Sequence, residues 1–355
     1  MPIYTGEEPI KATLSSPRSL YVLCGSEPFY KDLYVRRLIA ATVAEGLETF
    51  NLKKLDGAQN SVAELLAAAD QLPLMDGRTC VIARRFPLEK LSAADCAALQ
   101  TLAARVPEST VLVFVQEDVN FPPAQEKAVE GEDAKGVKKA RKDMFDAFLK
   151  HAYIAKLDRL QPRDLARVLS AGARRRGCVM SPQNAALLTE LCGTDLYLLQ
   201  NELDKLCALA PGGEITSALI RKHAIRTLEY GAFELTNSLF ARDVTGALRT
   251  LELMLDAKER PENILGQLIK NFLLIYDVKL AQRFRKPDRA LPQAFPSVNP
   301  NRWGIVRKNA ANLPEAAVCK CLDILNETDI ALKSRGGSER ILMEQTLVKL
   351  GALLC

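Results

Sequence analysis

Three short apolar runs near the start of the chain constrain the fold most. They cover residues 19–24, 79–83 and 111–115; all three are predicted as strands, and the second and third are of the continuous kind that is typical of strands buried on both faces of a sheet. Helical patterns lie between them, the first over residues 28–44. Alternation of strands and helices predicts a parallel sheet covered by helices. From about Leu157 only helical periodicity continues, so we expect an α/β domain followed by two all-α domains.

Local signals mark further elements. Residues 49–55 are predicted as another strand. Ser61 and Glu64 have the spacing of a capping box, which predicts a short helix through residue 69. Gly177 is expected to end a helix over residues 163–176, whose terminal arginines complement the negative end of the helix dipole.

The segment after the first apolar run has the layout of a phosphate-binding loop, with a strand, Gly25 and then a helix. Along the consensus G-x-x-x-x-G-K-[ST], Lys31 takes the lysine position, but Tyr30 takes that of the second glycine. Asp32 replaces the hydroxyl that would bind magnesium. Pro28 removes one of the backbone N–H groups that such a loop points at phosphate oxygens. We interpret the segment as a nucleotide-binding scaffold that has lost its nucleotide.

A second part of the nucleotide site, the acidic residue of a Walker B strand, is also missing from its expected position. Gln116 stands where a Walker B strand would deliver its metal-binding aspartate, although a shift of one residue along the sequence Gln116-Glu117-Asp118 would restore an acid. Strand–glycine–helix junctions also occur in many α/β domains that bind no phosphate. In that alternative, Lys31 is simply a solvated helix residue.

Composition indicates a globular chain of ordinary kind. The 355 residues are long enough for two or three domains, and 48% of them are hydrophobic and 26% charged. No apolar run reaches transmembrane length and the polar start lacks a signal-peptide pattern, so we expect a cytoplasmic protein without membrane contact. A net charge of +5 permits contact with nucleic acid but does not argue for it.

Metal and hydrolytic chemistry have little support. The nine cysteines are scattered, and the close pair Cys319 and Cys321 has no second pair or nearby histidine to complete a zinc site. The two histidines, His151 and His223, lie beside no Ser, Cys or paired-carboxylate arrangement. We therefore expect free thiols, no metal, no cofactor and no catalytic residue.

A charged segment interrupts the α/β region over about residues 120–142. It is rich in Lys, Glu, Asp, Pro and Gly and is expected to be a solvated insertion. Its basic run over residues 135–142 permits contact with DNA phosphates, but a solvated helix face is the commoner outcome for such a run.

A loop that can expose apolar side chains to solvent follows the short helix. Pro73 disfavours helix at the preceding residue, and an Asp-Gly turn follows at residues 76–77. Between these points Leu72, Leu74 and Met75 can project from one tip. The alternative is that Leu74 and Met75 plug the edge of the sheet, because apolar side chains usually lie inside a protein.

Several short segments occur in an order and spacing that together resemble a known family. They are LCGSEPFY at residues 23–30, QLPLM at 71–75, LLQNELDKL at 198–206, FELTNSL at 233–239, a helix over 247–255, and DIALK at 329–333. The chain resembles, over nearly its whole length, the delta subunits of bacterial DNA polymerase III clamp loaders, a branch of the AAA+ ATPases. The charged segment over residues 119–145 is longer than this family usually carries.

The resemblance implies a division into three domains. Residues 1–156 would form an AAA+-like α/β domain without a functional nucleotide site, residues 157–226 a small lid-type helical domain, and residues 227–355 a helical collar that assembles the subunits. It also implies that Gln71, Leu72, Leu74 and Met75 form the clamp-binding loop, with Leu74 and Met75 as the apolar pair that enters a pocket on the sliding clamp.

By this resemblance the chain would bind and open a sliding clamp inside a clamp loader and would not hydrolyse ATP. The expected partners are the clamp, the ATPase and other subunits of a hetero-pentamer, and primed DNA through the complex. Catalysis would belong to the DNA polymerase holoenzyme. Two rivals remain: a nucleotide-binding enzyme that uses Lys31, and a DNA-binding adaptor that uses residues 135–142.

Overall fold

The computed structural model describes residues 4–5, 16–75, 77–117, 120–123, 134–284, 302–334 and 338–354. The chain divides into two compact units, Met1–Leu160 and Gln161–Cys355. The described strands all lie in the first unit, and the described elements of the second are helices. The predicted order, α/β followed by helical structure, is confirmed. The further division of the second unit at residue 226 stays a prediction.

Six strands build the first unit. They are β1 Tyr4–Thr5, β2 Leu20–Cys24, β3 Leu52–Asp56, β4 Thr79–Arg84, β5 Thr110–Val115 and β6 Tyr153–Lys156. All neighbouring pairs are parallel, in the order β1-β6-β2-β5-β4-β3. Every residue of β2 and β5 is buried, as expected for central strands covered on both faces.

The helices of the first unit connect and cover these strands. They are α1 Pro28–Thr42, α2 Glu48–Asn51, α3 Val62–Ala69, α4 Ala93–Ala104 and α5 Ala134–His151. The capping box of α3 is present in full, because the Ser61 hydroxyl accepts from the Glu64 N–H and the Glu64 carboxylate accepts from the Ser61 N–H. This sequence prediction is confirmed.

The prediction of a strand over residues 49–55 was wrong in its first half. Leu47 O accepts hydrogen bonds from the N–H groups of Phe50 at 3.1 Å and Asn51 at 2.9 Å, which closes the single helical turn of α2. The strand β3 starts only at Leu52. A single turn is too short to produce a helical period in the sequence.

Helix α5 begins inside the segment over residues 120–142 that was expected to be a solvated insertion, and it continues beyond the end of that segment. Its second half is part of the core, where Met144, Phe145 and Phe148 are buried. The Phe148 ring lies 5.1 Å from that of Phe114 on β5, in an edge-to-face arrangement. Its basic side chains at residues 135, 138, 139 and 142 are exposed, so the basic run does form a solvated face. Residues 118–119 and 124–133 lie outside the described ranges.

The second unit consists of ten described helices. They are α6 Pro162–Arg175, α7 Pro182–Cys192, α8 Leu196–Leu209, α9 Ser217–His223, α10 Leu228–Phe240, α11 Val244–Asp256, α12 Pro261–Arg283, α13 Trp303–Asn312, α14 Glu315–Ser334 and α15 Glu339–Leu354. Proline opens α6, α7 and α12, where its fixed φ suits the first helical position and no amide partner is needed.

The helix stripes predicted from the sequence form the core of this unit. Ile264, Leu268, Phe272 and Ile275 of α12 are all buried, as their periodicity indicates. Gly177 follows α6 in the left-handed region at φ +78°, which only glycine adopts without strain. The predicted end of that helix is therefore confirmed.

None of the helices in the described ranges is both long and apolar enough to cross a membrane. No three His, Cys, Asp or Glu side chains in the same ranges lie close enough together to hold a metal ion.

The cysteines in the described ranges are free thiols, and all except Cys319 are buried. Burial raises the pKa of Cys192 and Cys321 to about 12. Because the thiolate is the reactive form, buried thiols of this kind are inert toward alkylating agents near neutral pH. Cys319 and Cys321 therefore form a matched pair on one helix that differs in burial.

We expect iodoacetamide to modify Cys319 in the native protein at pH 8 and to leave Cys321 and Cys192 unmodified until the chain is denatured. A thiol with a pKa near 12 is ionised to only about 0.01% at pH 8. Peptide mass spectrometry with and without denaturant measures the extent of modification. Equal rates at Cys319 and Cys321 in the native state would contradict this packing of α14.

Candidate functional site

The loop after β2 is closed against the end of β6. Gly25 has φ +104°, and a Cβ at this position would lie 2.3 Å from Leu157 O. Leu157 in turn donates its N–H to Cys24 O at 2.8 Å and accepts one from Glu27 N at 2.9 Å. Glycine is therefore required here for close approach of two backbone segments, within the protein itself.

Other amides of this loop also have partners in the protein. Ser26 N lies 3.4 Å from Asp158 Oδ1, and Phe29 N donates to Glu27 Oε1 at 3.1 Å, which caps α1. Tyr30, at the position of the second consensus glycine, is buried. A phosphate cradle needs consecutive N–H groups directed at the ligand, whereas these groups donate to carbonyl and carboxylate oxygens.

Lys31 points inward and joins two strand ends. Its Nζ donates to Gly25 O at 3.0 Å and to Gln116 O at 2.9 Å, and only 8% of the residue is exposed. Burial lowers the pKa of Lys31 from its usual value, because desolvation disfavours the charged form. The alternative that this lysine is an ordinary solvated helix residue is therefore wrong: it ties the ends of β2 and β5 together.

A partly open cavity of about 330 Å³ lies beside Lys31 at the carboxyl ends of the strands. Asp32, at the position of the magnesium-binding hydroxyl, forms a 2.7 Å ion pair with Arg84 across it. Gln116, at the position expected for the Walker B acid, is buried, while Glu117 is exposed and Asp118 lies outside the described residues. The lining thus mixes both charge signs and does not form a single anion-binding surface.

The second predicted site, the loop from Gln71 to Met75, connects α3 to β4 and exposes its apolar side chains. Leu72 is 77% exposed, Leu74 45% and Met75 80%. Gln71 is exposed as well. These fractions contradict the alternative that Leu74 and Met75 plug the edge of the sheet. The side chains are available to a partner.

Hydrogen bonds fix the backbone of this loop. The buried side chain of Asn51 accepts from Leu74 N at 2.7 Å and donates to Leu74 O at 3.0 Å. The Thr79 hydroxyl donates to Gln71 O at 3.0 Å. The loop is therefore held at its start and at its tip, although its apolar side chains face solvent.

The tip has a strained backbone. Met75 has φ +58°, a left-handed conformation that costs a non-glycine residue about 1–2 kcal/mol. Gly77 follows at φ +103°, which accords with the predicted turn, although Asp76 lies outside the described residues. Strained residues of this kind often mark functional positions, and here the strain presents Met75 to solvent.

The two predicted sites lie at opposite edges of the sheet. The glycine loop follows the carboxyl end of β2, whereas the apolar loop precedes the amino end of β4. Since β2, β5 and β4 are parallel, these ends are on opposite sides. The structure does not bring Lys31 and Met75 together.

Two residues near the apolar loop were missed by the sequence analysis. Asn51 holds the backbone of Leu74, and its neighbour Phe50 is 53% exposed. A phenylalanine in the otherwise polar sequence Glu48-Thr49-Phe50-Asn51 was the available signal. The contact to Leu74 joins residues 23 positions apart, and no local pattern reveals it.

Known families match both units. Residues 21–121 match the family described as DNA polymerase III, delta subunit, and residues 229–350 match the DNA polymerase III delta subunit, C-terminal domain. The two matches together cover more than half of the chain, and the match to the C-terminal domain follows the other along the sequence. The first contains both predicted sites of the α/β unit.

Individual proteins align along almost the full length. The DNA polymerase III subunit delta of Bacillus subtilis (strain 168) is 23% identical over 339 residues, covering 93% of this chain and 92% of the relative. A solved structure of a Bacillus subtilis DNA clamp loader delta protein covers 97% of this chain and 98% of its own at 21% identity, with a TM-score of 0.68. This likeness shows a shared fold. The two family matches, with the aligned relative, establish that the chain belongs to the family of DNA polymerase III delta subunits.

Proposed function

We propose that this chain grips a sliding clamp with Leu74 and Met75 and holds it open for loading onto primed DNA. The observation that carries the proposal is the exposure of these two side chains on a loop whose backbone is fixed by Asn51. A fixed loop loses little conformational entropy when it binds. Methionine is unbranched and fills irregular apolar pockets well.

The energies involved are adequate for binding. Full burial of a leucine and a methionine is worth about 3–6 kcal/mol together, from which the cost of association must be subtracted. Binding alone does not open a ring. The chain must bind the open clamp more tightly than the closed one by at least the free energy that holds the closed interface together. Helix α3 or α1 would act as the wedge.

We further propose that the chain works without a nucleotide of its own. Three features support this: the glycine loop is closed against Leu157, Lys31 bonds two carbonyls, and Asp32 pairs with Arg84. An incoming phosphate would have to displace these internal contacts. ATP would be bound by partner subunits of a cytoplasmic hetero-pentamer.

Assembly with those subunits would use residues 227–355. Leu253, Ile341 and Val348 are each more than half exposed in this part of the chain, as expected for side chains that a neighbouring subunit covers. Primed DNA would be reached through the complex. The rival DNA-adaptor function draws support from the exposed lysines of α5 and predicts strong, salt-sensitive DNA binding by the isolated chain.

We expect the double variant Leu74→Ala/Met75→Ala to bind the sliding clamp at least about 100-fold more weakly than the wild type, because it removes the apolar pair that would enter the pocket on the clamp. Surface plasmon resonance with immobilised clamp measures both affinities. Leu253→Ala, which shortens another exposed leucine, in the second unit, serves as the control. Undiminished binding by the double variant would place the grip elsewhere.

For the nucleotide site we expect calorimetry to detect no saturable binding of ATP to the isolated chain at micromolar concentrations. Lys31→Ala should instead lower the free energy of unfolding by about 1–3 kcal/mol, because two buried carbonyls lose their donor. Chemical denaturation measures this change, with the exposed Lys54→Ala as control. Micromolar ATP binding that disappears in Lys31→Ala would favour the enzyme rival.

A further inference from the structure

The exposed apolar side chains of the first unit are concentrated in one region. Among the residues described there, the large hydrophobic side chains with high exposure are Phe50, Leu72, Leu74 and Met75, at 53%, 77%, 45% and 80%. Single exposed apolar residues are common on protein surfaces and need no explanation. Here four such residues lie in two short segments, and the other large apolar side chains described in this unit are less exposed. A concentration of this kind does need an explanation.

The two segments are joined through Asn51. Its side chain binds both backbone groups of Leu74, at 2.7 Å and 3.0 Å, and it is itself only 1% exposed. Phe50 precedes Asn51, and consecutive Cα atoms are about 3.8 Å apart. The backbone of Phe50 therefore lies within about 10 Å of that of Leu74. A partner surface of ordinary interface size spans this distance.

The exposed side chain of Phe50 has no evident role in the packing of helix α2. The helix is a single turn, Glu48–Asn51, and its other residues fill clear roles: Asn51 is buried, while Glu48 and Thr49 are exposed and polar. An exposed aromatic side chain next to exposed polar residues is typical of an anchor residue in a protein–protein interface. Aromatic residues supply a large contact area with few rotatable bonds.

We infer that Phe50 is an additional anchor of the clamp-binding surface and that Asn51 is the positioning residue that sets its distance from Leu74 and Met75. The inference rests on the proposed function, since it names further residues for the same partner. It commits to an apolar pocket or groove on the sliding clamp as the occupant. Continuity with the loop, through the two Asn51 hydrogen bonds, is the reason for this choice.

Phe50→Ala tests the anchor. We expect the dissociation constant for the clamp to rise about tenfold or more, mainly through a faster off-rate, as is usual for an aromatic anchor. The free energy of unfolding should stay close to that of the wild type, because the side chain is already half in solvent. Thr49→Ala, its exposed neighbour on the same turn, is the matched control and should bind like the wild type.

Asn51→Asp tests the positioning role. The acid keeps an acceptor for Leu74 N but places an oxygen against Leu74 O, so the loop should lose its fixed position. We expect weaker clamp binding in the otherwise wild-type chain but little additional loss in the Leu74→Ala/Met75→Ala background. A residue with a purely structural role would weaken binding by the same factor in both backgrounds, and such additivity would overturn the positioning role.

The outcomes separate the two proposals. If the wild-type full chain fails to bind the clamp, the proposed function itself is wrong. If the wild type binds and the loop double variant does not, while Phe50→Ala binds as tightly as the wild type, the clamp-binding loop stands and the additional anchor is refuted. Surface plasmon resonance on one clamp preparation provides all of these values.

Discussion

A parallel sheet covered by helices on both faces presents its own residues to a partner only where its strands end. In the first unit the central strands β2 and β5 are buried along their whole length, so the loops that the sheet presents lie at its carboxyl edge or at its amino edge. The carboxyl edge is the usual position of ligands in open α/β sheets. Here the glycine loop at that edge is closed by the protein's own contacts, and the exposed apolar surface lies at the opposite edge.

The carboxyl edge shows how the layout of a nucleotide site can persist for structural reasons. The ends of β2 and β5 present backbone carbonyls that must be satisfied once they are buried. The ammonium of Lys31 satisfies Gly25 O and Gln116 O, at a cost of desolvation that lowers its pKa. Gly25 is needed because Leu157 approaches its backbone closely. The glycine and lysine of the motif therefore have roles that require no phosphate.

The amino edge presents the opposite situation, in which apolar side chains stay in water. Leu74 and Met75 gain nothing from this exposure in the isolated chain, and Met75 also adopts a strained backbone. Asn51 offsets part of that cost by satisfying two backbone groups of Leu74. A surface that is fixed before it meets its partner binds with a smaller loss of conformational freedom, which is consistent with the clamp-binding role proposed above.

The sequence by itself determined that an α/β region with buried strands is followed by helical structure, because buried strands and helix stripes impose apolar periods of their own. It also determined the substituted P-loop and the apolar character of residues 72–75. Only the tertiary structure decided which of these side chains are buried. Lys31 points inward because two distant strands end beside it, and Leu74 stays exposed because Asn51 holds its backbone from another segment. Lys31 and Gln116 are separated by 85 positions in the sequence, and Asn51 and Leu74 by 23. Contacts over such separations leave no local pattern, so they appear only once the chain has folded.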